Sequence, residues 1–257
     1  MLSLFRKRSE EEDVRESGSG FRLDWMQTDM HCHILPGIDD GAPDVDASIE
    51  LLQQYIAMGV DRFIATPHVK QNMFPNTPAT IKAAWEQLAE AVLEKGLNVH
   101  IQYSAEYYLD EGFLAALKNN ELLPFPGNYI LIEVSFSRRP MIDLGDVARS
   151  VMDKGFFPIL AHPERYRYWH KNLNKFETLK SQGWLLQVNL LSLAGYYGGT
   201  EQKMARILLD SELVDFVGTD THKMEHLLQI AASGKDPWVQ RASEIYLMNK
   251  FLELDGK

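Results

Sequence analysis

The sequence predicts an α/β fold built on a parallel sheet, a relative of the (β/α)8 barrel that is short by one unit. From residue 25 onward, short apolar runs alternate with longer amphipathic runs about seven times. Such alternation is typical of a parallel sheet covered by helices, and about seven units in a chain of 257 residues suit a barrel. No repeat or linker interrupts the pattern, so we expect one domain over residues 21–257.

Each element is predicted from the spacing of its apolar residues. In chain order, strands are expected at Met26–His31, Arg62–Thr66, Val99–Ser104, Tyr129–Val134, Phe157–Ala161, Leu185–Asn189 and Asp215–Thr219. Helices are expected between and after them, at Asp44–Met58, Pro78–Lys95, Glu111–Lys118, Asp143–Lys154, Asn174–Ser181, Glu201–Asp210 and Pro237–Leu252.

Capping residues support several of these boundaries. Thr77 is a favourable N-cap residue, and Pro78 follows it at the first helical position. Asp44 follows a polar loop and is interpreted as the cap of the first helix. Glycine stands just past four helical runs, where a left-handed C-cap favours it, at Gly59, Gly96, Gly155 and Gly183.

Composition excludes several classes of protein. A formal net charge of -10 argues against broad contact with nucleic acid or anionic lipid. The lone cysteine, Cys32, rules out an intrachain disulfide and fits a reducing compartment. No apolar run is long enough to span a membrane, so we expect a cytoplasmic protein without stable membrane insertion. Residues 1–20 mix acidic residues with Ser and Gly and are predicted to be a disordered tail.

Side chains that bind divalent metals follow most of the predicted strands. Because the C-terminal ends of the strands share one face of a parallel barrel, residues that lie far apart in sequence should meet there. For any one of them alone, a hydrogen-bonding role is commoner, and their joint placement is what favours a metal site. The set comprises five imidazoles and three carboxylates: His31, His33, His68, Glu106, Glu133, His162, Asp220 and His222.

Spacing supports the same interpretation. His31 and His33 are two residues apart, as are Asp220 and His222, so both members of each pair point to the same side of an extended segment. Three other histidines are interpreted as ordinary structural residues: His100, His170 and His226. Cys32 should point away from the two neighbouring imidazoles and be a small buried group.

These residues occur in motifs that resemble the polymerase and histidinol phosphatase (PHP) superfamily. The likeness is strongest to its bacterial manganese-dependent tyrosine-protein phosphatases of capsule and exopolysaccharide synthesis. The motifs are Asp29-Met30-His31-Cys32-His33, Asp39-Asp40-Gly41, Thr66-Pro67-His68, Ala105-Glu106-Tyr107-Tyr108, Leu131-Ile132-Glu133, Ala161-His162-Pro163-Glu164-Arg165 and Thr219-Asp220-Thr221-His222.

The resemblance implies a distorted (β/α)7 TIM-like barrel of the PHP type, with three divalent metal ions held by the eight side chains. It favours Mn, although imidazole and carboxylate ligands also suit Fe, Co or Zn. It places Arg165 on the substrate phosphate and Asp40 beside the cluster, as a proton-handling or orienting carboxylate. Metal-activated hydroxide would attack the phosphate, and the implied partner is the tyrosine-rich tail of a bacterial kinase that controls polysaccharide export.

One feature departs from the family pattern, which has an arginine shortly after the final histidine. Lys223 follows His222 instead, and Lys223 or the pair Arg138 and Arg139 are the candidate substitutes. Nearby aromatic residues are candidates for walling a phosphotyrosine entrance, with ordinary packing as the commoner role: Phe74, Tyr107, Tyr108 and Phe136.

Two alternative functions stay open. One is a small-molecule phosphatase of the same superfamily, for example on histidinol phosphate; an exonuclease is less favoured because the chain has no basic stripe. The other is a non-catalytic module that docks on a kinase or export complex, for which the missing arginine is the support.

Overall fold

The computed structural model of this chain describes residues 21–254. Nine strands and nine helices are found in this part of the chain. In chain order they are β1 (Asp29–Cys32), α1 (Val45–Ala57), β2 (Arg62–Ala65), β3 (His68–Val69), α2 (Pro78–Glu94), β4 (His100–Tyr103), β5 (Glu106–Tyr108), α3 (Glu111–Asn119), β6 (Tyr129–Glu133), α4 (Leu144–Met152), β7 (Phe157–Ala161), α5 (Asn174–Ser181), β8 (Leu185–Asn189), α6 (Leu190–Leu193), α7 (Gly199–Asp210), β9 (Phe216–Gly218), α8 (Met224–Ala232) and α9 (Pro237–Glu244). The disordered-tail prediction for residues 1–20 lies outside the described residues.

The strands form a curled, parallel arrangement. One sheet has the order β1-β2-β4 and the other β3-β5-β6-β7-β8-β9, and every pairing is parallel. β2 runs into β3 across Thr66 and Pro67, where proline supplies no N–H for the ladder. A parallel bridge between Cys32 and Thr221 places β1 beside the segment that follows β9. The predicted α/β class with a parallel sheet is therefore confirmed.

The concave face of the sheet changes from apolar to polar along the strands. Ile64, Leu131, Ile159 and Phe216 come from four different strands and pack into one buried apolar cluster. Successive side chains of a strand alternate between its two faces, so Glu133 shares the face of Leu131, two positions further on. The C-terminal ends of the strands thus present polar side chains above an apolar floor.

Local capping follows the sequence predictions. The Thr77 side chain accepts a hydrogen bond from Thr80 N at the start of α2, and Asp44 accepts one from Ala47 N at the start of α1. The four predicted C-cap glycines all have positive φ, at Gly59, Gly96, Gly155 and Gly183. No helix within residues 21–254 combines the length and apolar character that a membrane span requires.

The C-terminal region differs from prediction. The helix predicted over Pro237–Leu252 ends at Glu244, and a 3-10 turn covers Met248–Phe251. The physical reason is Asn249, whose buried amide exchanges hydrogen bonds with Val217 N and O and donates to Thr28 O. These contacts hold the chain against β9, so the helix does not continue although the spacing of the apolar residues is helical. Helices α6 and α8 were not predicted.

Candidate metal centre

The structure brings all eight candidate ligands together at the C-terminal ends of the strands. Their nitrogen and oxygen atoms form overlapping groups in which every atom lies within 4.8 Å of the others. The four groups are His33, His68 and His222; His31, His33 and Asp220; His31, Glu106 and His162; and His68, Glu106 and Glu133. Because neighbouring groups share members, the arrangement suits several adjacent cations better than one.

Glu106 lies at the centre of this cluster and is fully buried. Its Oε1 is 2.8 Å from His162 Nε2, while its Oε2 is 2.9 Å from His68 Nδ1 and 3.3 Å from His31 Nε2. The third strand was predicted to end just before Glu106, but Glu106 begins the separate strand β5 and pairs with β6. Its carboxylate has two oxygens that face different groups, the geometry of a bridging ligand.

Unpartnered polar atoms test whether the residues fit metal ions. Within residues 21–254, three buried atoms of the cluster lack a hydrogen bond of suitable geometry, although imidazole nitrogens lie near two of them: Glu106 Oε2, Asp220 Oδ1 and His162 Nδ1. His31 Nε2 and His33 Nε2 also face one another at 3.3 Å. Leaving buried polar atoms unsatisfied is costly, and divalent cations would satisfy them with a donor set that mixes N and O. The side chains therefore fit a metal cluster.

Hydrogen bonds to Nδ1, the ring nitrogen that points away from the cluster, orient two of the imidazoles. His31 Nδ1 lies 2.8 Å from Gln187 Oε1, and His33 Nδ1 lies 2.8 Å from Asp39 Oδ2. Such contacts leave the other ring nitrogen facing the cluster. Gly41 is required beside Asp39, because an added Cβ would lie 2.2 Å from the His33 carbonyl oxygen. The sequence interpretation assigned no role to Asp39 or Gln187, although a buried glutamine in an apolar strand was a usable signal.

The environment of the cluster raises the pKa of some of its side chains, so these side chains hold protons when no metal is bound. Burial lowers the pKa of His31, but the carboxylates of Glu106 and Asp220 outweigh it and raise this pKa to about 9. Burial, together with the charge of Glu106, raises the pKa of Glu133 to about 8. Cations would therefore bind in competition with protons.

Two of the candidate residues have a left-handed backbone. His162 has φ 33° and Asp220 has φ 54°. Left-handed φ is uncommon for residues other than glycine and costs about 1–3 kcal/mol where it is held. The surrounding hydrogen bonds stabilise it here: Asp220 N donates to His31 O at 2.8 Å, and Asn189 Nδ2 donates to Asp220 Oδ2 at 2.7 Å.

Asp40 lies at the edge of the cluster. Its Oδ1 is 3.5 Å from His68 Nε2 and 3.6 Å from His222 Nε2, and its side chain is 60% exposed. The nearby His222 imidazole lowers the pKa of Asp40 to about 2 despite partial burial. Its carboxylate is therefore ionised at neutral pH, which suits orienting a water better than taking up a proton.

A cavity of about 470 Å³ opens above the cluster, and Arg165 lies on its wall. The guanidinium is held between the rings of Phe136 at 4.3 Å and Tyr197 at 4.1 Å. Its Nη1 donates to Asp220 Oδ2 at 3.2 Å. Tyr197 was not singled out in the sequence, because only the fold places it beside Arg165.

Only two of the four aromatic residues predicted to wall a phosphotyrosine entrance line this cavity. Phe74 and Phe136 line the cavity, and the Phe74 ring stacks on His68. Tyr107 is buried, and its hydroxyl accepts a hydrogen bond from Leu123 N. Tyr108 lines a neighbouring cavity.

The three residues considered as substitutes for the missing arginine lie in two different cavities. Lys223 lines the cavity above the cluster but pairs with Glu225 at 2.8 Å. The structure does not bring Arg138 and Arg139 into that cavity. They line the neighbouring one, where Arg139 Nη2 donates to Tyr168 O at 3.0 Å.

The remaining histidines and Cys32 were interpreted as structural. His100 is exposed on β4, and His170 Nε2 lies 2.7 Å from Glu164 O. His226, however, lines the cavity, and its Nδ1 accepts a hydrogen bond from His222 N at 3.2 Å. Cys32 is buried in the main apolar core, as expected.

Three relatives of this chain are named as tyrosine-protein phosphatases, one of them as putative. YwqE of Bacillus subtilis, a tyrosine-protein phosphatase, is 32% identical over 198 residues, which cover 77% of this chain and 78% of YwqE. CapC of Staphylococcus aureus, a putative tyrosine-protein phosphatase, is 29% identical over 89% of this chain and 91% of CapC. CpsB of Streptococcus pneumoniae, another tyrosine-protein phosphatase, is 28% identical over 84% and 88% of the respective chains.

Solved structures agree with the sequence relatives. A chain from the crystal structures of YwqE from Bacillus subtilis and CpsB from Streptococcus pneumoniae, described as unique metal-dependent tyrosine phosphatases, superposes with a TM-score of 0.73. It is 29% identical, and the match covers 86% of this chain and 94% of that chain. The model of the capsular polysaccharide synthesis family CpsB/CapC matches residues 27–233, which include all eight candidate ligands. This chain therefore belongs to the CpsB/CapC family of capsular polysaccharide synthesis.

Proposed function

We propose that this protein is a metal-dependent tyrosine-protein phosphatase. The observation that carries the proposal is the convergence of five imidazoles and three carboxylates beneath one cavity, with Arg165 on the cavity wall. Family membership and the names of the relatives support the same activity. An intact set of candidate ligands favours an enzyme over the non-catalytic docking module.

We propose three divalent cations, with Mn²⁺ as the metal. The overlapping groups of side chains support more than one ion, and Glu106 and Asp220 would help to hold them because each faces more than one imidazole. When bound, such cations lower the pKa of water and neutralise charge on phosphoryl oxygens.

The protein's own residues would bind and orient the substrate. The Arg165 guanidinium donates paired N–H groups to a phosphate, and the flanking rings of Phe136 and Tyr197 hold its plane. Phe74 and Met73 line the same cavity and offer apolar contact to an aryl ring. Asp40 is ionised, and its carboxylate would orient a water at the edge of the cluster.

The proposed physiological substrate is phosphotyrosine in the tail of a bacterial tyrosine kinase, as the family resemblance implies. We also propose that residues 21–257 form one distorted (β/α)7 barrel. The parallel order of the strands and the bridge between Cys32 and Thr221 support this topology.

The test combines metal analysis with substrate comparison on the full chain. We expect bound metal, and hydrolysis of a phosphotyrosine peptide in Mn²⁺ that chelation abolishes. Phosphoserine peptide and histidinol phosphate should react at least about tenfold more slowly. His31→Ala should lose metal and activity together, and His100→Ala, an exposed histidine on β4, is the matched control.

Three outcomes would overturn the proposal. Faster hydrolysis of histidinol phosphate would indicate a small-molecule phosphatase. A protein that binds no metal and hydrolyses none of the three substrates would be a docking module. Full activity in His31→Ala would show that the imidazole cluster does not hold the metal.

A further inference from the structure

A second cavity of about 390 Å³ lies beside the catalytic one. The chain that leaves β6 forms the wall between them. Glu133 and Phe136 face the catalytic cavity, while Val134 and Ser135 face the second. The two cavities are therefore neighbouring sites along one stretch of backbone.

The wall of the second cavity carries exposed apolar side chains. Met141 is 99% exposed and Ile142 is 41% exposed, and Phe136 is 41% exposed at the boundary with the catalytic cavity. Leu114 of α3 also lines this cavity. Clustered exposed apolar groups with a polar rim mark interaction sites in otherwise water-soluble surfaces, so this cavity has the composition of a binding groove.

Its rim carries two arginines and two acids, in a chain that is acidic overall. Arg138 and Arg139 line the cavity in a protein of net charge -10. At the boundary, Lys70 Nζ lies 4.1 Å from the ring centroid of Tyr108. Asp110 also lines the cavity, but both its oxygens are engaged, by Phe113 N and by Gln71 N at 3.0 Å each.

The remaining acid of this rim is Glu111, in the first turn of α3. The partial positive charge of a helix N-terminus offsets an acid in that position. Arg138 is exposed on the segment between β6 and α4, and the ion pairs that arginines form within residues 21–254 all involve other arginines. Its guanidinium is thus free to meet an acidic group on a ligand.

We propose that this second cavity binds the peptide segment that flanks the phosphotyrosine, which makes it a specificity groove for protein substrates. An apolar side chain of the peptide packs against Met141, Ile142 and Leu114, and an acidic side chain pairs with Arg138. The inference rests on the proposed phosphatase function. An extended peptide places a side chain about every 3.3 Å, so a residue near the phosphotyrosine reaches across the shared wall.

The experiment compares two substrates of the metal-loaded full chain. One is a phosphotyrosine peptide with Leu and Asp beside the phosphotyrosine, and the other is 4-nitrophenyl phosphate, which fills only the catalytic cavity. The measured quantity is the ratio of kcat/KM for the peptide to that for 4-nitrophenyl phosphate. The variants are Arg138→Glu and Met141→Asp, and Lys82→Glu on the outer face of α2 is a charge-matched control.

We expect the ratio to fall at least about fivefold in both groove variants, mainly through KM for the peptide, because an unfavourable rim charge weakens association. The Lys82→Glu ratio should match the parent. The parent should hydrolyse a peptide with Lys and Gly at the flanking positions less efficiently than the Leu and Asp peptide. Arg138→Glu should narrow this difference, because the new carboxylate attracts the lysine.

A ratio within twofold of the parent in both groove variants overturns the groove while the phosphatase function stands. Equal losses on both substrates also overturn it, since the residues would then act on the catalytic cavity. If the parent hydrolyses neither substrate, the proposed function fails and the groove proposal fails with it.

Discussion

We expect the replacement of Arg165 to weaken phosphate binding without loss of metal. Its side chain is 23% exposed and aims into the catalytic cavity, with its plane held between Phe136 and Tyr197. Asp220 and neighbouring acids raise its pKa although burial lowers it, so the guanidinium stays charged. Arg165→Ala therefore removes a fixed positive charge and two N–H donors from the position where a phosphate would bind.

The expected loss follows from the strength of such bonds. Hydrogen bonds to charged groups contribute about 1.5–3 kcal/mol. A net loss of about 3 kcal/mol corresponds to a fall of roughly 150-fold in kcat/KM, at about 1.4 kcal/mol per factor of ten. Arg165→Lys keeps the charge but loses the planar fork and the stacking on two rings, so it should fall between parent and alanine variant, at roughly 10–30-fold.

Metal content should be unchanged in Arg165→Ala. The Asp220 carboxylate stays oriented because Oδ2 also accepts from Asn189 Nδ2 at 2.7 Å and from the Tyr197 hydroxyl at 3.3 Å. The assays are steady-state kinetics on a phosphotyrosine peptide and metal analysis by mass spectrometry. Arg167→Ala, an exposed arginine paired with Glu201, is the control. Activity within threefold of the parent, or loss of metal, would refute the assignment.

The remaining predictions use the same preparations. Tyr197→Phe keeps the ring and should lose less than about threefold in kcat/KM, whereas Tyr197→Leu removes a cation–π contact and should lose roughly tenfold; equal values in both variants would contradict the stacking role. Glu106→Gln should lose most of its metal while its circular dichroism stays that of the parent, and full metal content would show that this carboxylate is not shared between ions. Chelation should lower Tm by about 5–10 °C, because a ligand at a hundred times its Kd stabilises by about 2.7 kcal/mol; an unshifted Tm argues against a bound metal. Burial raises the pKa of Glu164 from 4.5 to about 7, so its contribution to the free energy of unfolding of the metal-free protein is present below pH 4.5 and is lost as pH rises to about 7. Glu164→Gln should remove this slope, worth up to about 3 kcal/mol in urea unfolding, and a slope identical to the parent's would refute the assignment.

The positions of the candidate ligands were predictable because they depend on local rules. Chemical residues that follow the strands of a parallel sheet lie at one edge of it, whatever the details of packing. His31, Glu133 and His162 all meet this rule. The rule needs only the strand boundaries, which the apolar runs define to within a few residues.

The residues that orient the cluster were less predictable. Gln187 contacts His31 across 156 positions of sequence, and Tyr197 contacts Arg165 from the loop between α6 and α7. The strand that holds Gln187 has no candidate ligand, so no metal pattern drew attention to it. Asp39 and Asp40 are adjacent in one motif. The sequence does not show which of the two contacts His33 and which faces the cavity, and the structure assigns these positions to Asp39 and Asp40 respectively.

The sequence by itself determined the α/β class, the chain order of the metal-binding side chains and their placement at strand ends, because periodicity and chain direction are local properties. Only the tertiary structure decided which oxygen faces which nitrogen, why the last helix stops at Glu244, and that Arg138 and Arg139 line a second cavity instead of the catalytic one. These outcomes depend on contacts between residues that are distant in sequence and on the curl of the sheet, which no local pattern encodes.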